Sequence, residues 1–331
     1  MATEGTDTLQ RDGVAVRKER LYGRLLAACA VLTLLVTVGI ILSLLGQTLV
    51  FFGAVSPVDY FTGTDWSPLI GEATYGVLPL VSGTLIVTVV SALIALPVGL
   101  AIAIYISEYA SERVRAWLKP ALEILAGVPT VIYGYFALVY VTPLLDRPVP
   151  FSAQLVPPGV PVVPEFTLVV PSLRTFNVLS AGIVVALMII PMVSSISEDA
   201  LTAVPDSLRE AAYGLGSTKF DVSTKVVVPA ATSGVVSSYV LALSRAIGET
   251  MAVTIAMGSS PKMPFFPNVL QNLTQSGQTM TAAMVQIASA ESRGGVTYEA
   301  MFALGLTLFG ITLTMNILAE LVRRRYREQY D

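Results

Sequence analysis

Arg245 and Glu249 stand four positions apart and are the only charged residues between Gly234 and Met257. Four positions is about one helical turn, so a continuous helix puts both side chains on one face. An arginine near the centre of a bilayer costs about 2.5–3.5 kcal/mol on insertion scales and needs a partner or a watery cavity. Its planar fork donates two parallel hydrogen bonds and suits an oxyanion. Two roles are open to the pair: a salt bridge that fixes helix packing, or part of an anion path with Glu249 as the counter-charge.

A second spacing lies just upstream, in a polar island between two apolar stretches. Glu210, Ala211 and Ala212 are followed by Gly216, then by Val226, Val228 and Pro229. Ser207 and Glu210 have the spacing of a capping box, which predicts a helix starting near Asp206. Gly214 and Gly216 supply a tight turn, and Ser217 or Thr218 can cap a second short helix ending before Pro229. This helix-turn-helix knob is similar to the EAA signature, E-A-A-x3-G-x9-aliphatic-x-aliphatic-P, of ABC importer permeases. In that family the loop docks into a groove on a separate ATPase, which implies coupling roles for Glu210, Ala211, Ala212, Gly216 and Pro229.

The rest of the chain must hold these elements in a membrane. At 331 residues, 54% hydrophobic and 13% charged, it has too few charges to cover a soluble globule of its size. Its mean hydropathy is +0.71. Apolar runs long enough to cross hydrocarbon fall at 25–52, 78–106, 122–145, 176–196, 234–257 and 300–322, predicting six spans. Pro97, Pro129 and Pro191 lie inside them, which helix bundles tolerate. Fifteen of the 20 Lys and Arg residues fall on one side of this topology, in both terminal segments, the 113–119 connection and the EAA loop; four fall on the other. The asymmetry predicts both termini and the EAA loop on the cytoplasmic side of a cell membrane.

Several chemistries are excluded. There is no histidine and only one cysteine, Cys29, so no zinc or haem site is expected and no intramolecular disulfide can form. Gly214 to Lys219 lacks the spacing of a P-loop, so any ATP chemistry belongs to another chain. The first apolar run is far longer than the core of a cleavable signal peptide. No catalytic residue, cofactor, metal or nucleic-acid partner is expected. Residues 1–20 read as an unstructured cytoplasmic tail, 21–324 as the permease domain with its coupling loop at 198–231, and 325–331 as a second tail. The aromatics between Phe51 and Gly76 suit an interfacial belt. The Pro-rich 146–175 segment suits an extended strand or hairpin, and 279–290 a helix near the outer mouth.

Four further segments narrow the resemblance: FTGTDWSP, the run from Tyr75 to Ala110, LEILAGVPTVIYGY and LSRAIGETMAV. Together they resemble the PstC family, permease subunits of phosphate-specific ABC importers, over roughly residues 50–322. The resemblance implies an all-α integral membrane protein with the six-transmembrane-helix permease fold of type I ABC importers (MetI-like). It implies a heterodimer with a PstA-like permease, two copies of a PstB-like ATPase, an extracytoplasmic phosphate-binding protein, and a surrounding of membrane lipid. It also implies a substrate path that includes Arg245, Glu249, Thr130 and Tyr133; Thr130 replaces the Ser usual in the family and keeps its hydroxyl. A carboxylate beside the arginine would favour dibasic phosphate, which keeps an O–H donor, over sulfate. Pro129 and Gly134 read either as a hinge or as small residues allowing close helix approach. The rival readings are a permease for sulfate or molybdate, an ion-coupled secondary transporter, which leaves the EAA loop unexplained, and a membrane enzyme, for which no nucleophile arrangement is visible.

Overall fold

The computed structural model describes residues 13–69, 71–146, 173–264, 268–290 and 294–325. The first crossing is α1 (Gly13–Ala54), none of whose apolar window is buried against the rest of the chain. It leads into a small cap made of α2 (Pro57–Thr62) and two short antiparallel strands, β1 (Trp66–Ser67) and β2 (Thr74–Tyr75). The second crossing, α3 (Leu78–Ile104), runs on through a π-helical turn at Tyr105–Tyr109. The third comprises α4 (Glu112–Ala126), α5 (Thr130–Phe136) and α6 (Thr142–Leu145), with an 88° bend after α4. Gly127 ends α4, and Pro129 has no N–H to extend it and disfavours helix at Val128.

The fourth crossing is α7 (Val178–Thr202), followed by α8 (Asp206–Gly214), α9 (Lys219–Val222) and α10 (Val228–Ala230). After a 72° bend comes α11 (Thr232–Ile247), and a break separates it from α12 (Met251–Met257). Two shorter helices, α13 (Val269–Thr274) and α14 (Met280–Ser289), precede the last crossing, α15 (Val296–Arg325). Among the described residues four helices are long and apolar enough to span a membrane, and six when each bent pair is one span.

The centre is the contact of α3 with α7. Val87, Ala95, Val184, Val185, Ala186, Ile189 and Val193 are buried there. A methyl group at Gly99 would meet the Val193 side chain at 2.6 Å, so the missing side chain is what lets the two helices approach. Pro97 and Pro191 lie within these helices, which continue through them.

The cap corrects one expectation. Phe51, Tyr60 and Trp66 are not an interfacial belt but are buried against Leu80, Met280, Ile287 and Leu304. The Tyr60 hydroxyl shares a 3.0 Å hydrogen bond with Thr307, and burial pushes its phenol above the usual tyrosine range. Aromatic side chains bury large areas, and these hold the end of α1 and the start of α15 together. Tyr75 does the same through Thr297 at 2.9 Å. The start of α1 and the end of α15 therefore share the opposite end of the bundle. The EAA segment is at that end too, because Glu108 and Tyr109, just beyond α3, touch Arg209 and Lys219.

One boundary also differs. Helix begins at Gly13, inside the segment expected to be an unstructured tail, and runs unbroken into the first span. The helix expected at 279–290 is α14, with the Thr279 hydroxyl accepting from the Ala282 N–H at 3.2 Å. Residues 1–12, the C-terminal 326–331 and most of the Pro-rich segment, 147–172, lie outside the described residues.

Candidate functional site

The break between α11 and α12 places Arg245 and Glu249 on different helices. Arg245 is in the last turn of α11 and is exposed in the isolated chain. Gly248 ends that helix. Glu249, 8% exposed, turns back so that its carboxylate accepts the Ala252 N–H at 3.1 Å, satisfying a donor at the start of α12. The Thr281 hydroxyl of α14 donates to the Glu249 carbonyl at 2.8 Å and secures the break. The expected shared helical face is therefore overturned, and no ion pair joins Arg245 to Glu249 among the described residues. Gly248 and the competing N–H of Ala252 are the physical reasons.

Tyr133 shares a buried cluster with Ala246 and Ala252, which follow Arg245 and Glu249 in the chain. Its ring is buried and its hydroxyl donates to the Leu125 carbonyl at 2.8 Å, bracing the bend between α4 and α5. Gly134 packs on α12, where an added Cβ would lie 2.9 Å from the Ala252 carbonyl oxygen. Close approach is thus what Gly134 provides. Thr130 begins α5 one turn before Gly134, on the same face, and is half-buried. The break and α5 thus bring Arg245, Glu249 and Tyr133 to one region. A groove of about 540 Å³ between α1 and α15 and a cleft of about 610 Å³ in the cap both lie away from it.

The EAA segment folds as the predicted knob, with one change of device. The helix α8 does start at Asp206, but Pro205 precedes it and no side chain caps it; the Ser207–Glu210 box does not form. Arg209 does the fastening instead. Its guanidinium donates to the carbonyl oxygens of Leu201 at 2.8 Å and Val204 at 2.6 Å, and to Glu108 at 3.0 Å and Asp206 at 3.1 Å. The turn after α8 is a Schellman motif: Ser217 N–H bonds to Ala212 and Gly216 N–H to Tyr213, with Gly216 at φ +84°. Thr218 then caps α9 through the Asp221 N–H at 3.2 Å. Ala212 is buried under the knob, whereas Glu210, Ala211, Gly216 and Pro229 face outward. At the tip Leu215 is 89% and Phe220 67% exposed.

A second polar cluster joins α4 to α7. Glu198, 1% exposed, accepts from the Arg115 guanidinium and from Lys119 at 2.7 Å, while Lys119 also reaches Asp199 at 3.2 Å. Sequence reasoning missed both Arg209 and Glu198 as organising residues. The available signal was an acidic pair ending one span and two basic residues in the preceding connection, too far apart in the chain to match by spacing.

The family model described as binding-protein-dependent transport system inner membrane component matches residues 95–328. A phosphate transport system permease protein PstC of Xylella fastidiosa is 34% identical over 95% of this chain and 93% of its own length. A probable ABC transporter permease protein, YqgH, of Bacillus subtilis is 31% identical over 93% of this chain and 92% of its own. Among solved structures, a bacterial alginate ABC transporter in complex with an alginate pentasaccharide-bound periplasmic protein superposes with a TM-score of 0.61. It covers 95% of this chain and 99% of its own at 15% identity, a likeness of fold. The chain is a multi-pass membrane protein with the type I ABC importer permease fold, and it belongs to the binding-protein-dependent transport system inner membrane component family, alongside its PstC-type permeases.

Proposed function

We propose that the chain is the permease subunit of an ATP-driven phosphate importer. The observation that carries this reading is the near-full-length likeness to a phosphate transport permease. The geometry adds a mechanism. Arg245 lies in the last turn before a helix break and is exposed in the single chain, so a second, PstA-like permease completes the path and encloses its guanidinium. There the fork binds a phosphate oxygen pair and compensates the anion's charge away from bulk water. Thr130 lies along the same path. Tyr133 and Glu249 act by positioning, one bracing the α4–α5 bend and the other capping α12.

The ATP-hydrolysing subunits, two copies of a PstB-like ATPase, seat the α8–α9 knob. Leu215, Phe220 and the outward face of Glu210 and Ala211 supply the contact, and the Schellman turn at Gly216 keeps it rigid. A phosphate-binding protein delivers substrate to the capped end. In this orientation the knob and both termini are cytoplasmic, in agreement with the basic-residue asymmetry.

Two measurements test the reading. Reconstituted with its partner subunits, the permease should move phosphate in an ATP-dependent manner in preference to sulfate and molybdate; preferential sulfate uptake would replace phosphate with another oxyanion. With Cys29 replaced and no ATPase present, single cysteines at Leu215 and Thr64 should label from opposite sides of the membrane. Labelling from one side would end the orientation.

A further inference from the structure

One turn of α7, Ser197 to Leu201, holds three other elements at once. Glu198 ties it to α4 through Arg115 and Lys119. The Ser197 hydroxyl shares a buried 2.7 Å hydrogen bond with Ser238, and Ala200 packs on Gly234 so closely that no Cβ fits there. Both contacts fasten α11. The Leu201 carbonyl accepts from Arg209 and so fastens α8. Successive helical residues step about 100° around the axis, which lets one turn face several neighbours.

What hangs from this turn is the site itself. α11 ends at Arg245. α4 continues through the bend braced by Tyr133 into α5, which packs on α12 beside Ala252. Both elements that flank the α11–α12 break are therefore anchored to the turn that also grips the coupling helix α8.

We propose that the turn Ser197–Leu201 is the junction through which movement of α8 reaches Arg245, and that Glu198 is a positioning residue for transport. Glu198 touches no substrate. Its carboxylate, almost sealed from solvent between two half-exposed cations, makes α4 follow α7 rather than slide along it. A neutral amide of the same shape keeps hydrogen bonds but loses the charge that holds both cations together. The inference rests on the reading of residues 198–231 as the ATPase-coupling element.

The test is the amount of phosphate moved per ATP hydrolysed by the complete complex in proteoliposomes, with loaded binding protein. Glu198→Gln should assemble and hydrolyse ATP, yet move at least fivefold less phosphate per ATP; Glu198→Asp should recover part of the loss. Combined with Arg209→Lys, the loss should be less than the product of the two single effects, because both act on one junction. Lys119→Gln, which leaves Arg115 on Glu198, provides the same readout if Glu198→Gln does not assemble. An unchanged ratio in these variants, with Gly216→Val uncoupled, would overturn this inference alone. An unchanged ratio in Gly216→Val as well would remove the coupling reading on which it rests. Parallel loss of hydrolysis and transport would make Glu198 a purely structural anchor and also overturn the proposal.

Discussion

The Arg209 guanidinium donates to the carbonyl oxygen of Leu201 at 2.8 Å, across the short turn between α7 and α8. The same group holds Glu108, whose side chain is 6% exposed, so α7, the π-helical extension of α3 and the knob meet on one cation. The Leu201 carbonyl near the end of α7 accepts from this side chain as well as from the Val204 N–H at 3.3 Å, without a glycine cap.

Arg209→Ala should therefore destabilise the permease by about 3–5 kcal/mol, the usual cost of removing one partner from a buried ion pair. The measurement is the thermal midpoint of the purified permease. Arg209→Lys keeps the charge but not the fork that reaches several acceptors, and should fall between the two. An unchanged midpoint in Arg209→Ala would show that the contacts contribute nothing net.

Gly216 adopts φ +84° with open space around it. A side chain there meets no neighbour, so the penalty is one of backbone conformation, about 1–2 kcal/mol for an ordinary residue. Gly216→Val should distort the knob and weaken ATPase binding, read by co-purification of the ATPase. Gly216→Asn should be much milder, because Asn enters the left-handed region readily. Equal effects of the two would point to a steric contact with the ATPase instead.

Gly134 has the opposite constraint: ordinary φ but no room, with Ala252 and Ile255 both 2.9 Å from an added Cβ. Gly134→Ala should force α5 from α12 at a cost of about 1–3 kcal/mol. Transport should fall more steeply than stability, since this contact sets the neighbourhood of Arg245. Wild-type uptake and melting in Gly134→Ala would mean that the helices are not closely packed in the membrane.

Much of this architecture was legible from hydropathy and punctuation. Apolar length locates the spans, and the Glu210–Pro229 spacing locates the knob, with Gly216 and Thr218 in the predicted roles. The failures share a cause. Ser207 and Glu210 have capping spacing, yet a tertiary partner, Leu201 with Glu108, drew Arg209 into that place. Arg245 and Glu249 have helical spacing, yet a local donor at Ala252 captured the carboxylate once Gly248 allowed the helix to end. Spacing reports which contacts a regular helix permits, and here long-range contacts and a break decided between them. The burial of Trp66 and Tyr60 was hidden for the same reason, because their partners come from α14 and α15.

The proposed role of Arg245 is to bind the anion in the path, with Glu249 as the cap that shapes the break beside it. Its most direct measurement is ATP-driven phosphate uptake in proteoliposomes by Arg245→Gln and Glu249→Gln, each with sulfate as competitor. A hydrogen bond to a charged group contributes about 1.5–3 kcal/mol, so Arg245→Gln should lower uptake about ten- to hundredfold while the complex still assembles. Glu249→Gln keeps an oxygen for the Ala252 N–H and should retain most uptake, with sulfate competition unchanged. Phosphate uptake that persists in Arg245→Gln would remove Arg245 from the anion path.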